Sequence, residues 1–218
     1  MTLPSQPHYS DNVSAFPMQG GCACGQIRYR INLEPLVVHC CHCTSCQRET
    51  GTAFAVNLVI ESSKVTLLPP ADAFIPASPD HPDVFLPANP PLVPTPKPQD
   101  VAAGVVQPEF IRTPSESGRG QVIARCPACR VAIWSEYSAG HLVKYIRVGT
   151  LDRAWLVAPD LHIFTRSRRT FISIEDEKPQ FEEYYDREQF WRQGSLERYS
   201  ALLPEITKYR ESLGGNSK

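Results

Sequence analysis

The run His39-Cys40-Cys41-His42-Cys43-Thr44-Ser45-Cys46 constrains this chain more than any other stretch, because it packs four cysteines and two histidines into eight residues. The other four cysteines form two close pairs, Cys22-Ala23-Cys24 and Cys126-Pro127-Ala128-Cys129. All eight cysteines of the 218-residue chain therefore sit in three clusters. Eight cysteines allow four disulfides, but C-x-C and C-x-x-C pairs in a reducing compartment point to metal ions instead.

Strand parity sorts the central run. Leu36-Val37-Val38 leads into it as an apolar, β-branched strand. Successive side chains of a strand point to opposite faces, so Cys41 and Cys43 share one face with His39, and Cys40 and His42 share the other. A turn through Thr44-Ser45 returns Cys46 toward Cys41 and Cys43. Three protein ligands with a fourth position open is the pattern of a catalytic zinc, whereas a structural zinc is closed by four. Cys22, Cys24, Cys126 and Cys129 suit the closed set. Cys40 is left over and reads as a buried thiol. Spacing alone leaves a rival open, in which Cys43 and Cys46 join Cys126 and Cys129 as a zinc ribbon.

Around these clusters the chain reads as mainly β. Short alternating stretches at Gln26–Ile31, Ala53–Ile60, Lys64–Leu68, Gln121–Arg125, Val131–Tyr137, Lys144–Val148, His162–Thr165 and Phe171–Ile174 predict strands. Residues 1–16 are polar and turn-rich and read as a loose tail. Residues 69–113 are crowded with prolines from Pro69 to Pro108 and read as an insertion that is part polyproline and part disordered. Residues 186–218 read as a helical extension. Asp186 with Gln189 resembles a capping box, Gly194 ends a first helix, Ser195 caps a second, and Pro204 kinks it or starts a third.

The net charge of −1 gives no pull toward nucleic acid or anionic membrane. With 42% hydrophobic residues the chain can build a core. No apolar run approaches ~18 residues, and the first twenty residues lack the apolar centre of a signal peptide. The expectation is a cytoplasmic protein with reduced thiols.

In order along the chain, Cys22-Ala-Cys24-Gly25 with Arg28-Tyr29, Cys41-His-Cys43-Thr-Ser-Cys46 with Arg48 and Gly51, Cys126-Pro-Ala-Cys129, Gly149-Thr150-Leu151-Asp152, and His162-Ile163-Phe164 with Ser167-Arg168 form a specific set of blocks. From about Gly20 to Tyr185 the chain resembles the glutathione-dependent formaldehyde-activating enzymes and centromere protein V-like domains. The resemblance implies a β-tent, a folded-over all-β sheet built around zinc, over residues 17–185. It implies two zinc ions per chain, with Cys22, Cys24, Cys126 and Cys129 holding the structural one and Cys41, Cys43 and Cys46 the catalytic one. It also implies a carbon–sulfur lyase-type reaction that joins glutathione to formaldehyde or another small electrophile. Where the family commonly has glycine after the knuckle, this chain has Arg130.

Glutathione carries two carboxylates, so a cation beside the thiol site is expected. Arg48, two residues beyond Cys46, is the candidate. His42 and His39 are secondary candidates for moving a proton, and His162 reads as structural. The alternative function is a non-catalytic zinc module that binds a protein or nucleic acid partner.

Overall fold

A computed structural model describes residues 8–71, 104–116 and 118–214. Most of the expected proline-rich insertion, and residues 1–7 of the expected tail, lie outside them. The described residues form mostly β-sheet with a few helices. Strands β1 (Met18–Gly21), β2 (Arg28–Ile31) and β5 (Val65–Leu68) make a small antiparallel sheet in the order β1-β2-β5.

The second sheet has seven strands. These are β3 (Val37–Cys41), β4 (Ala55–Glu61), β6 (Glu109–Thr113), β7 (Gln121–Arg125), β8 (Ala132–Glu136), β9 (Val143–Arg147) and β10 (Leu161–Ile163). Their order is β10-β3-β4-β9-β8-β7-β6, antiparallel throughout except that β10 runs parallel to β3.

The centre of this sheet is buried on both faces, which is why β3 and β4 are apolar almost without alternation. All five residues of β3 are buried. Along β4, Leu58 and Ile60 enter one core and Val59 enters the other. The first core joins the two sheets, with Ile27, Tyr29 and Ile31 against Ile133, Trp134 and Ile146. The second core lies under the C-terminal helices, with Leu36, Val37, Val143 and Leu161 against Trp191, Tyr199 and Ile206. The four-thiol and three-thiol clusters divide between these cores: Cys22, Cys24 and Cys126 belong to the first, and Cys41, Cys43 and Cys46 to the second.

Four expectations need correction. Residues 8–16 are not a loose tail, because Tyr9 is buried and its hydroxyl donates to Asp160. Glu109–Thr113, the expected end of the insertion, is strand β6 and pairs along its length with β7. Phe171–Ile174 alternates in sequence but makes no strand; Phe171 is 77% exposed, so the pattern had no partner to pair with. Gly194 and Ser195 do not separate two helices. Helix α2 (Arg187–Phe190) stops at Trp191, and α3 (Gln193–Ser200) contains both residues. Asp186 does cap α2, accepting from the Glu188 amide at 3.1 Å and from Gln189 Nε2 at 3.1 Å. Helix α4 (Leu203–Gly214) begins with Pro204 in its first turn, where proline's missing N–H is not needed.

Asp160 ties the N-terminal segment to the large sheet. One carboxylate oxygen accepts from the Val38 amide at 2.7 Å and from the Tyr9 hydroxyl, and the other meets His8 Nε2 at 2.5 Å. Asp160→Ala would strand two buried donors, each worth about 1–3 kcal/mol when unpaired. The expected result is a loss of about 2–4 kcal/mol in urea unfolding, with faster proteolysis before residue 17. An unchanged unfolding midpoint would show that the segment is not anchored there.

Candidate active site and metal centres

The four-thiol cluster is assembled from two hairpin-like turns. Cys22 and Cys24 lie just after β1, and Gly25 turns the chain back with φ 78°. The Ile27 amide donates to Cys22 Sγ at 3.2 Å. Cys126 and Cys129 lie between β7 and β8, where the Arg130 amide returns to Cys126 O at 3.1 Å. Arg130 takes the left-handed backbone expected of a glycine there, with φ 64°, at a cost of about 1–2 kcal/mol. Its side chain pairs with Glu109, and its carbonyl accepts from Arg125 at 2.9 Å.

Cys22 Sγ lies 3.4 Å from Cys24 Sγ, and Cys24 Sγ lies 3.6 Å from Cys126 Sγ. All four sulfurs lie within 4.8 Å of one another. Sulfurs around one tetrahedral zinc stand about 3.8 Å apart, so this donor set fits a closed site. The rival zinc ribbon is not formed: Cys126 and Cys129 gather with Cys22 and Cys24, and Cys43 and Cys46 gather with Cys41.

The three-thiol cluster follows the parity argument. Cys41 ends β3 on the face of the second core, Cys43 is the N-cap of helix α1 (Thr44–Thr50), and Cys46 lies one turn into that helix. The Cys46 amide donates to Cys43 Sγ at 3.3 Å. Gly51 closes the helix with φ 68°. Thiol donors at Cys41 and then Cys46, aided by the Cys46 and Ser45 amides, outweigh burial and pull the Cys43 thiol down to about 3. Cys41 is driven up, by its bonds to Cys43 and Cys46 and by burial. The trio therefore readily gives up a first proton from Cys43, as a metal-ligand set must.

These thiols line a cavity of about 490 Å³. Its walls carry His39, Asn57, Tyr137, Tyr145, Tyr184 and Trp191, and it is also bordered by Arg119, Arg187, Arg210 and Glu116. His39 shares the Cys41 face, as parity predicts, and burial lowers its pKa to about 4. The Trp191 indole donates to the Tyr185 hydroxyl at 2.5 Å, which in turn meets His39 Nε2 at 2.7 Å. Glu116 accepts from the Thr44 amide at 2.9 Å and from Arg166 at 3.1 Å, which ties the start of α1 to the β10 side. Arg147 is buried with neutral acceptors, Asn57 Oδ1 and Ser135 Oγ, and with no carboxylate partner among the described residues its charge acts on Cys46 of the trio.

Arg48 is exposed on α1 and is not among the residues lining this cavity. The cavity's cations come from Arg119, Arg187 and Arg210, which nothing in the local sequence marks. The basic run at Arg166 pairs with Glu116 and Glu183 rather than reaching the cavity.

A third group gathers on the other face of β3. Cys40, His42 and His162 place their donor atoms within 4.8 Å of one another. Parity placed the first two together; the parallel pairing of β10 that adds His162 has no local sequence signal.

Residues 17–76 match the family described as glutathione-dependent formaldehyde-activating enzyme. Over this segment the chain is similar to that family. The matched segment contains Cys22, Cys24, Cys41, Cys43 and Cys46, while Cys126 and Cys129 come from beyond it. No curated protein matches the chain. A crystal structure of a Rhodobacter sphaeroides protein aligns over 75% of this chain and 99% of its own at 10% identity, with a TM-score of 0.35. No described helix is long and apolar enough to cross a membrane.

Proposed function

We propose that the chain is a zinc-dependent carbon–sulfur lyase-type enzyme of the β-tent kind, acting on an adduct of glutathione with formaldehyde or another small electrophile. In this reading residues 17–185 form the zinc domain and 186–218 a helical extension that closes one wall of the cavity. Cys22, Cys24, Cys126 and Cys129 hold a structural zinc. Cys41, Cys43 and Cys46 hold a second zinc, with a fourth position facing the cavity. The carrying observation is that three buried thiols open onto a cavity whose border is rich in guanidinium groups.

Zinc bound by three thiolates would favour the ionised form of an incoming thiol. The chain's own residues do the rest. Arg119 and Arg210 are exposed at the border and Arg187 is half-buried over the Tyr199 ring, with its guanidinium carbon 4.3 Å from the centroid. They suit a substrate with two carboxylates. Arg147 offsets the negative charge of the thiolate set. His39, held neutral by burial, is a polar cavity-wall group that orients rather than takes a proton. In the forward direction the substrate sulfur bonds to the formaldehyde carbon, the C=O π-bond breaks, and the oxygen takes a proton, giving S-hydroxymethylglutathione.

The test is adduct formation and cleavage, followed by mass spectrometry, with glutathione and with 2-mercaptoethanol as thiols. The paired substitution Arg119→Met and Arg210→Met is expected to lower kcat/KM for glutathione about tenfold or more, since a charged hydrogen bond contributes about 1.5–3 kcal/mol. Turnover of 2-mercaptoethanol, which has no carboxylate, should hardly change. Equal losses on both thiols would remove these arginines from substrate recognition, and no adduct with any thiol would favour the non-catalytic zinc module.

A further inference from the structure

We propose that Cys40, His42 and His162 form a third metal site, separate from both thiolate sets, that takes a borderline divalent ion of the zinc type and pins β10 to β3. The donors meet through register rather than through a motif. Cys40 and His42 lie on the opposite side of the β3 strand from Cys41 and Cys43. Strand β10 runs parallel beside β3 with His162 in register with Cys40, and the His42 amide donates to Ile163 O at 2.9 Å.

The spacing suits a shared ion. His42 Nε2 lies 3.0 Å from His162 Nδ1, and Cys40 Sγ lies 3.6 Å from His42 Nε2. On one tetrahedral zinc, two nitrogens stand about 3.4 Å apart, and a nitrogen and a sulfur about 3.6 Å. A small opening of the two rings completes the geometry. All three residues are buried, with exposures of 3%, 1% and 6%. One soft sulfur with two imidazole nitrogens is a donor set that zinc accepts.

The surroundings point the same way. His162 Nε2 is held by Asp176 Oδ2 at 3.0 Å, and the other Asp176 oxygen accepts from the Lys178 amide at 3.2 Å. A carboxylate on the far nitrogen fixes the tautomer and leaves Nδ1 with a free lone pair aimed at the cluster, as is usual for metal-bound histidine. A Cys40 thiolate and the Asp176 carboxylate together offset a dication. The Phe54 ring, 5.6 Å from the His42 ring, covers the group. The consequence is structural. β10 is a three-residue edge strand that ends at Ile163 and leads into Phe164, and both residues line the cavity. An ion at this site would hold that wall in place from the opposite face of β3.

The competing arrangement is a plain hydrogen-bond chain from Asp176 through His162 to His42, with no ion. Cadmium NMR on the full chain, loaded with cadmium and carrying isotope-labelled histidine, separates the two. The expected spectrum contains a cadmium signal coupled to imidazole nitrogen, shielded relative to thiolate-rich sites. That signal should vanish in Cys40→Ala and in His162→Gln and persist in Cys43→Ala. The absence of any imidazole-coupled cadmium signal in the unsubstituted protein overturns the proposal without relying on a variant that must fold. So does a signal that survives Cys40→Ala and His162→Gln.

Discussion

Cys126→Ser is expected to yield protein that is insoluble or unfolded. Cys126 is fully buried in the core that joins the two sheets, and the four-thiol cluster links the turn after β1 to the turn between β7 and β8. A structural zinc supplies about 10–16 kcal/mol of apparent binding free energy in small domains. A whole domain is stable by only about 5–15 kcal/mol. Losing an ion held there would therefore cost as much as the fold has to spare, and the new hydroxyl would be left in an apolar core. Chelator should act on the parent protein as the substitution does. Thermal melts of both proteins, with and without chelator, check this; a Cys126→Ser protein that melts like the parent would remove the structural assignment.

The sequence carried the sheet faces further than it carried the cavity. Alternation along one strand was enough to send Cys40 and His42 one way and His39 and Cys41 the other, because the register of a strand with itself needs no partner. Cys43 and Cys46 joined Cys41 because the chain turns into α1 directly after the strand. Arg48 lies two residues past Cys46 in the sequence, which suggests nearness to the site. In a helix of 3.6 residues per turn that step rotates a side chain by about 200°, which carries Arg48 away from the face of Cys46. The guanidinium groups that do border the cavity come from Arg119, Arg187 and Arg210, brought there by the β6–β7 connection and the C-terminal helices. Tyr9 shows the same limit at the other end of the chain. A polar, turn-rich stretch looked loose until Asp160, far along the sequence, supplied its partner. Long-range partners of this kind leave no periodic trace. Phe171–Ile174 is the converse, a local pattern with no neighbouring strand to use it.

Cys43→Ala is expected to remove one zinc per chain and abolish adduct formation while leaving the protein folded. Cys43 belongs to the second core, where the trio sits against the C-terminal helices rather than between the sheets. Its structural duty is to cap α1, accepting the Cys46 amide at 3.3 Å. Apart from the binding energy of the lost ion, the lost cap costs about 1 kcal/mol, which by itself lowers Tm by roughly 2–4 °C for a chain of this size. On the proposed reading, activity would depend on the same sulfur far more heavily, because two thiolates alone would neither hold an ion firmly nor leave a single position for a substrate thiol. Cobalt substitution reads the difference directly, since thiolate-to-cobalt charge-transfer intensity follows the number of sulfurs. Glutathione added to the cobalt-loaded parent should intensify those bands, and added to Cys43→Ala it should not. If the parent's spectrum ignores glutathione, the substrate thiol does not reach the metal, and the trio's low-lying Cys43 thiolate would then serve binding or structure rather than carbon–sulfur chemistry.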